Sequence, residues 1–204
     1  MISLGIHEAA HGWVALQCGD PTARDLGRIT LNPIPHIDPF MTILLPAIGA
    51  LTGGFIFGGA KPVPVSYHNL RSPLRDMALV ALAGPASNFL LATFFFLCWK
   101  ILVQKTGVWD EQALGSMVLL QTVQLNILLS AFNLLPIPPL DGSRVMTWLL
   151  PSGIRASYVA LERFGLLLVV ALVFFFPPVQ HLVYSTEAAM GRAIENLVSF
   201  GGAW

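Results

Sequence analysis

Four apolar runs, residues 41–60, 77–103, 114–135 and 164–176, divide this chain, each bounded by Pro, Gly or charged side chains. About 20 apolar residues are what a helix needs to cross the hydrocarbon core of a bilayer, so a chain holding several such runs has few soluble folds open to it. Composition agrees: 11% of the residues are charged and 55% hydrophobic, against about 25% charged in an ordinary soluble domain. In lipid the backbone must satisfy its own hydrogen bonds, and the expected fold is an all-α polytopic membrane protein with about four to five transmembrane helices. The apolar excess excludes intrinsic disorder. Having only Cys18 and Cys98 excludes a disulfide scaffold. Eleven basic against eleven acidic residues exclude electrostatic binding of nucleic acid.

The segment from Ser3 to Cys18 reads as a helix carrying His7, Glu8, His11 and Gln17. Six helical residues before His7 rise only about 9 Å, so this first span is expected to be truncated, with more chain upstream. Residues 19–39 and 61–75 are rich in Pro, Asn, Asp and Gly. They read as loops holding short membrane-associated β-strands, at Arg28-Ile29-Thr30-Leu31 and Val63-Pro64-Val65. From Glu187 onward, apolar residues at helical spacing predict an amphipathic tail on the membrane surface. Residues 1–150 are thus expected to form the core, and 151–204 a C-terminal transmembrane helix and that tail.

The chemistry begins at His7-Glu8-Ala9-Ala10-His11. Residues four apart lie on one helix face, so both imidazoles reach one cation, while Glu8 stands one position along to move a proton of the attacking water. Two histidines and a glutamate in an apolar helix are costly unless partnered, which makes them a functional hypothesis by default. A zinc site of this kind takes a third protein ligand, often a carboxylate. Asp141, His36 and Asp38 are the candidates; Asp38 also reads as turn chemistry, and Asp141 as the N-cap of a helix over 142–150.

HEAAH together with the later NLLPIPPLDG, which fits N-x-x-P-x-P-x-L-D-G, closely resembles the site-2 protease family of intramembrane zinc metalloproteases. Gly84-Pro85-Ala86-Ser87-Asn88 resembles that family's G-x-x-x-N element, and the stretches around 32–39 and 61–65 look like its compact bacterial members without PDZ or CBS domains. The resemblance covers residues 3 to about 150. Similar proteins carry a glycine where Met41 stands and an aromatic where Gly59 stands. The resemblance implies that His7, His11 and Asp141 bind one Zn2+ per chain and that Glu8 is the catalytic acid/base. With two neutral imidazoles, that cluster is neutral overall, which lowers the cost of burying it.

The expected activity is hydrolysis of peptide bonds within or near the transmembrane segment of membrane-protein substrates, each with a single transmembrane helix. Such a helix must unwind locally, and Asn88 and Asn133, whose amides both donate and accept, are candidates for holding its backbone or an oxyanion. Helix–helix bonding is the alternative use of both. A zinc-binding transporter would be expected to show more polar sites or repeated halves, which are absent from the sequence; a non-proteolytic scaffold would have no need of Glu8.

Charge suggests the topology. If 41–60 crossed fully, Lys and Arg would divide five against six between the two faces. If 41–60 is re-entrant, Arg24, Arg28, Lys61, Arg71, Arg75, Arg144, Arg155 and Arg163 share one face, opposite Lys100, Lys105 and Arg192. Eight against three satisfies the positive-inside rule. The expectation is a bacterial inner or plasma membrane protein whose active site faces the cytoplasm.

Overall fold

The computed structural model describes residues 1–44, 46–47, 51 and 58–200. The chain packs as two units, Met1–Gly84 and Pro85–Trp204. Every regular element among the described residues is helical, with no strand.

In the first unit, α1 (Ile2–Gln17) buries Ser3, Gly5, His7, Ala9, His11, Gly12 and Ala15. Ser3, His7, His11 and Ala15 follow one another at intervals of four, so they form one face. That face is small or polar, whereas Ile2 and Trp13 are exposed. The helix ends at Cys18, and α2 (Thr22–Asp25) follows Pro21. Between them the fully buried Asp20 gathers the Thr22 backbone N–H, the Thr22 hydroxyl, the Asn69 amide and the Ser66 N–H. This ties the end of α1 to the turn Tyr67–Asn69.

The segments read as strands, 28–31 and 63–65, form no ladder. Pro62 and Pro64 lack donors, and the polar groups around them bond to side chains and turns instead. Most of the interior of 41–60 lies outside the described residues, but its two ends meet. The Gly59 N–H donates to the Met41 carbonyl at 3.0 Å, the Thr42 hydroxyl to the Gly59 carbonyl at 2.7 Å, and the Lys61 N–H to the His36 carbonyl at 2.8 Å.

Helix α3 (Pro73–Trp99) runs from the first unit into the second and continues as a π-helical turn over Lys100–Lys105. Proline suits its first turn, and the Asp76 carboxylate accepts from the Ser72 N–H there. Inside the helix, Pro85 removes the donor that would bond the Ala81 carbonyl. The second unit continues with α4 (Leu114–Asn133), α5 (Asp141–Leu149), α6 (Ser152–Val159), α7 (Gly165–Phe175) and α8 (Pro177–Phe200). Ala92 of α3, Val123 of α4 and Ile194 and Val198 of α8 form one core cluster. Leu135, Ile137, Val169 and Val183 form another, packing the proline-rich loop 134–140 against α7 and α8. The tail expected on the membrane surface is thus part of a longer helix with residues in a core.

Pro73–Gln104 and Leu114–Asn133 are long and apolar enough to cross a membrane. Ser152–Phe164 and Leu167–Val173 would make a third span if taken together across a 93° bend. The expected run at 164–176 is therefore broken at Gly165 as well as before Pro177. Length supports two crossings, or up to three, among the described residues; the four to five expected are not reached by these alone. Burial on α4 points to lipid: Ser116, Asn126 and Ser130 are inside while Leu114, Met117, Val118, Leu125 and Leu128 are exposed. In water this distribution would cost hydrophobic free energy at every turn, whereas in a bilayer small and polar faces pack together and large apolar side chains face lipid. This is a membrane protein.

A candidate metal centre on the first helix

The i, i+4 spacing on α1 sets the His7 and His11 rings edge to face, with centroids 4.6 Å apart, and brings their Nε2 atoms to 3.0 Å. Both residues are buried, His7 to 4% and His11 to 8% exposure. The His11 Nδ1–H donates to the Val80 carbonyl of α3 at 2.7 Å. A carbonyl only accepts, so the proton resides on Nδ1 and Nε2 keeps its lone pair, the arrangement found in metal-ligating histidines. Two ligands at about 2.0–2.1 Å from a tetrahedral zinc stand about 3.3 Å apart, within a few tenths of an ångström of this pair.

Gly84 lies against both rings. A Cβ there would sit 2.4 Å from His11 Nε2 and 2.5 Å from His7 Cε1, so only glycine leaves room for the imidazoles. The tautomer, the spacing and this cradle fit a divalent metal bound through nitrogen. Glu8 is half-buried, and its Oε2 accepts the Val63 N–H at 2.7 Å.

The remaining expected site residues lie in the second unit. Asp141 is the first residue of α5 and half-buried. The N-cap is Leu140, with no side-chain cap bond, so the alternative reading of Asp141 as a capping residue does not describe this helix. Gly142 beside it is packed on the preceding loop, where a Cβ would stand 2.1 Å from the Leu134 carbonyl oxygen. The loop is further held by the Tyr158 hydroxyl, which donates to the Pro136 carbonyl at 2.8 Å. Asn88 is fully buried on α3. Asn133, the last residue of α4, donates from Nδ2 to the Leu129 carbonyl of its own helix at 2.9 Å.

Of the other ligand candidates, His36 is fully buried and bonds through Nε2 to the Thr30 carbonyl at 3.1 Å. Asp38 accepts from the Phe40 and Met41 N–H groups through Oδ1, as turn chemistry requires. Sequence reasoning missed Val63, Arg28, Asp20 and Tyr158. Of these only Asp20-Pro21-Thr22 carried a local signal, the pattern of an aspartate bonding backbone two residues on. Burial alone would raise the Asp20 carboxyl. Hydrogen bonds from the Thr22 hydroxyl, the Asn69 amide and the Ser66 and Thr22 N–H groups outweigh burial and hold it below the ordinary aspartate range.

Similarity to other proteins points the same way. The chain is 42% identical over 197 residues to the proposed zinc metalloprotease YwhC of Bacillus subtilis, covering 94% of this chain and 84% of that protein. Against the proposed zinc metalloprotease Rip2 of Mycolicibacterium smegmatis it is 30% identical over 176 residues, 85% of this chain and 64% of the other. A shorter match, 39% over 95 residues and 46% of each chain, is to the proposed zinc metalloprotease MJ0611 of Methanocaldococcus jannaschii. No family profile and no solved structure matches.

Proposed function

Because this chain belongs to the site-2 protease family of zinc metalloproteases, we propose that it cuts membrane proteins with a single transmembrane helix, within or near that helix. It is a metalloprotease, and its cofactor is Zn2+. When bound, zinc supplies Lewis-acid polarisation of the scissile carbonyl and makes water more acidic. The observation that carries the reading is the buried pair of Nε2 atoms 3.0 Å apart, with the His11 tautomer set by the Val80 carbonyl and the space around both rings kept by Gly84.

His7 and His11 would supply two ligand nitrogens and Asp141 a carboxylate oxygen. In support of Asp141, its carboxylate stands in the first turn of α5 without a capping role, on a loop held by Tyr158 and by the close packing of Gly142. Glu8 would take a proton from water during attack and return it to the leaving amine. The Val63 N–H donates to Oε2, which would leave Oε1 for that transfer. Asn88 and Asn133 would hold the unwound substrate backbone or the oxyanion, Asn133 through its amide oxygen.

The chemistry would reside in residues 1–150, with 151–204 as the C-terminal membrane-associated part. The hydrogen bonds joining residues 41–42 to 59 favour a re-entrant 41–60, since a single crossing would part its ends by about 30 Å. With Lys and Arg then eight against three, the active site would face the cytoplasm of a bacterial plasma membrane. Residues before α3 and after α4 would complete the four to five crossings.

The test is zinc content and turnover on the purified chain. Wild type should hold one zinc and lose activity to a chelator, regaining it with Zn2+. Asp141→Ala should lose the metal and His36→Ala keep it; the reverse pattern would make His36 the third ligand. Glu8→Gln should keep the metal and lose turnover, and near wild-type cutting would remove Glu8 from the mechanism.

A further inference from the structure

Arg28 is a guanidinium only 9% exposed in a chain with few charges. Among the described residues it meets no carboxylate. Its Nη2 donates to the Lys61 carbonyl at 2.7 Å and, more weakly, to the Pro62 carbonyl at 3.4 Å. A buried cation facing only neutral oxygens is costly, and the backbone it holds supplies the compensation. The next N–H along is that of Val63, which donates to Glu8 Oε2 at 2.7 Å.

The Pro62 carbonyl and the Val63 N–H belong to one trans peptide unit and point in opposite directions. The negative end of that peptide dipole faces the guanidinium, and its positive end faces the carboxylate. Arg28 and Glu8 are therefore paired through a peptide rather than by contact. The triplet Pro62-Val63-Pro64 has a single N–H, so the loop has no second donor to offer and no alternative register. Its flanks are fastened as well: the Lys61 N–H donates to the His36 carbonyl at 2.8 Å and the Ser66 N–H to Asp20 Oδ2 at 2.6 Å.

We propose that Arg28 is a positioning residue for Glu8, acting through the Lys61–Val63 backbone so that one carboxylate oxygen is fixed and the other is aimed for proton transfer. The inference rests on the reading of Glu8 as the residue that moves the proton.

The experiment uses the full chain, zinc-loaded in detergent micelles, cutting a synthetic peptide with one transmembrane helix. Four readouts are taken: kcat, KM, zinc per chain and amide hydrogen exchange over residues 61–66. Arg28→Ala should lower kcat about 10–100-fold, the usual cost of losing a supporting hydrogen bond at such a site, with KM changed less than about two-fold. Zinc content should stay at wild type while exchange over 61–66 quickens. Arg28→Lys should recover part of kcat, and Arg24→Ala, an exposed arginine nearby, should behave as wild type.

An unchanged kcat, or a loss confined to KM, overturns the proposal. If Arg28→Ala does not fold, Val63→Pro, which removes the one N–H and leaves Arg28 in place, decides: a loss of kcat with zinc retained supports the proposal, and wild-type kcat overturns it. Glu8→Gln separates the two failures. An inactive Glu8→Gln beside a fully active Arg28→Ala removes only this inference, whereas an active Glu8→Gln removes the reading beneath it.

Discussion

At the scale of single residues, the candidate metal centre depends on what Gly84 lacks. Its Cα faces both imidazoles, and a methyl group there would lie 2.4 Å from His11 Nε2, far inside van der Waals contact. Unlike a surface glycine, it is needed for its volume rather than its backbone freedom. Gly84→Ala should therefore weaken zinc binding about 10–100-fold, the range for changes that displace a ligand's supports; zinc titration against a competing chelator measures it. Gly142 has the same role toward the loop before α5, since its Cβ would meet the Leu134 carbonyl oxygen at 2.1 Å. Gly142→Ala should cost about 1–3 kcal/mol as an overpacked site, read as a lower unfolding midpoint. The spacing of His7, Glu8 and His11 was legible in the sequence because helix geometry is local. The bond from His11 to Val80, 69 residues away in sequence, was not, because nothing local encodes it.

Among the elements, the join between α1 and the turn at 67–69 depends on one carboxylate. Asp20 is buried and charged, and its hydrogen bonds hold its pKa below the usual value. The unfolded chain would titrate near the ordinary aspartate value of about 3.9. With the folded pKa the lower of the two, the carboxylate's contribution is fully present above about pH 4 and is lost as pH falls through the folded value. Asp20→Asn should cost about 2 kcal/mol at neutral pH, the scale of hydrogen bonds to a charged group. The gap from wild type should close in acid, as unfolding midpoints measured from pH 7 down to pH 3 would show. The expected strands at 28–31 and 63–65 failed for a related reason: the alternation of residue types is a weak local signal, and side chains such as Asp20, Glu8 and Arg28 hold this backbone where a strand partner would have been.

For the whole molecule, the clearest sign of a lipid surround is α4, where Ser116, Asn126 and Ser130 are inside and leucines are outside. Topology can be read by cysteine labelling in membranes, after Cys18 and Cys98 are replaced by serine. Leu26→Cys and His68→Cys, both at exposed positions before α3, should react from the same face. Val108→Cys, exposed between α3 and α4, should react from the other. Leu26 and His68 on opposite faces would make 41–60 a full crossing and end the re-entrant topology.

The sequence by itself determined membrane residence, the helical class and the candidate constellation His7, Glu8 and His11, because hydropathy and i, i+4 spacing act over one or two helical turns and need no partner. Tertiary structure alone decided which nitrogen of His11 keeps its lone pair, why position 84 must lack a side chain, and which backbone holds Glu8. Each of these depends on groups far apart in sequence meeting at hydrogen-bond distance, where a few tenths of an ångström separate a bond from a clash. The number of crossings fell between the two. The apolar runs at 77–103 and 114–135 predicted the helices that span 73–104 and 114–133, but the 93° bend near Gly165 is a matter of packing and chain direction that hydropathy does not encode.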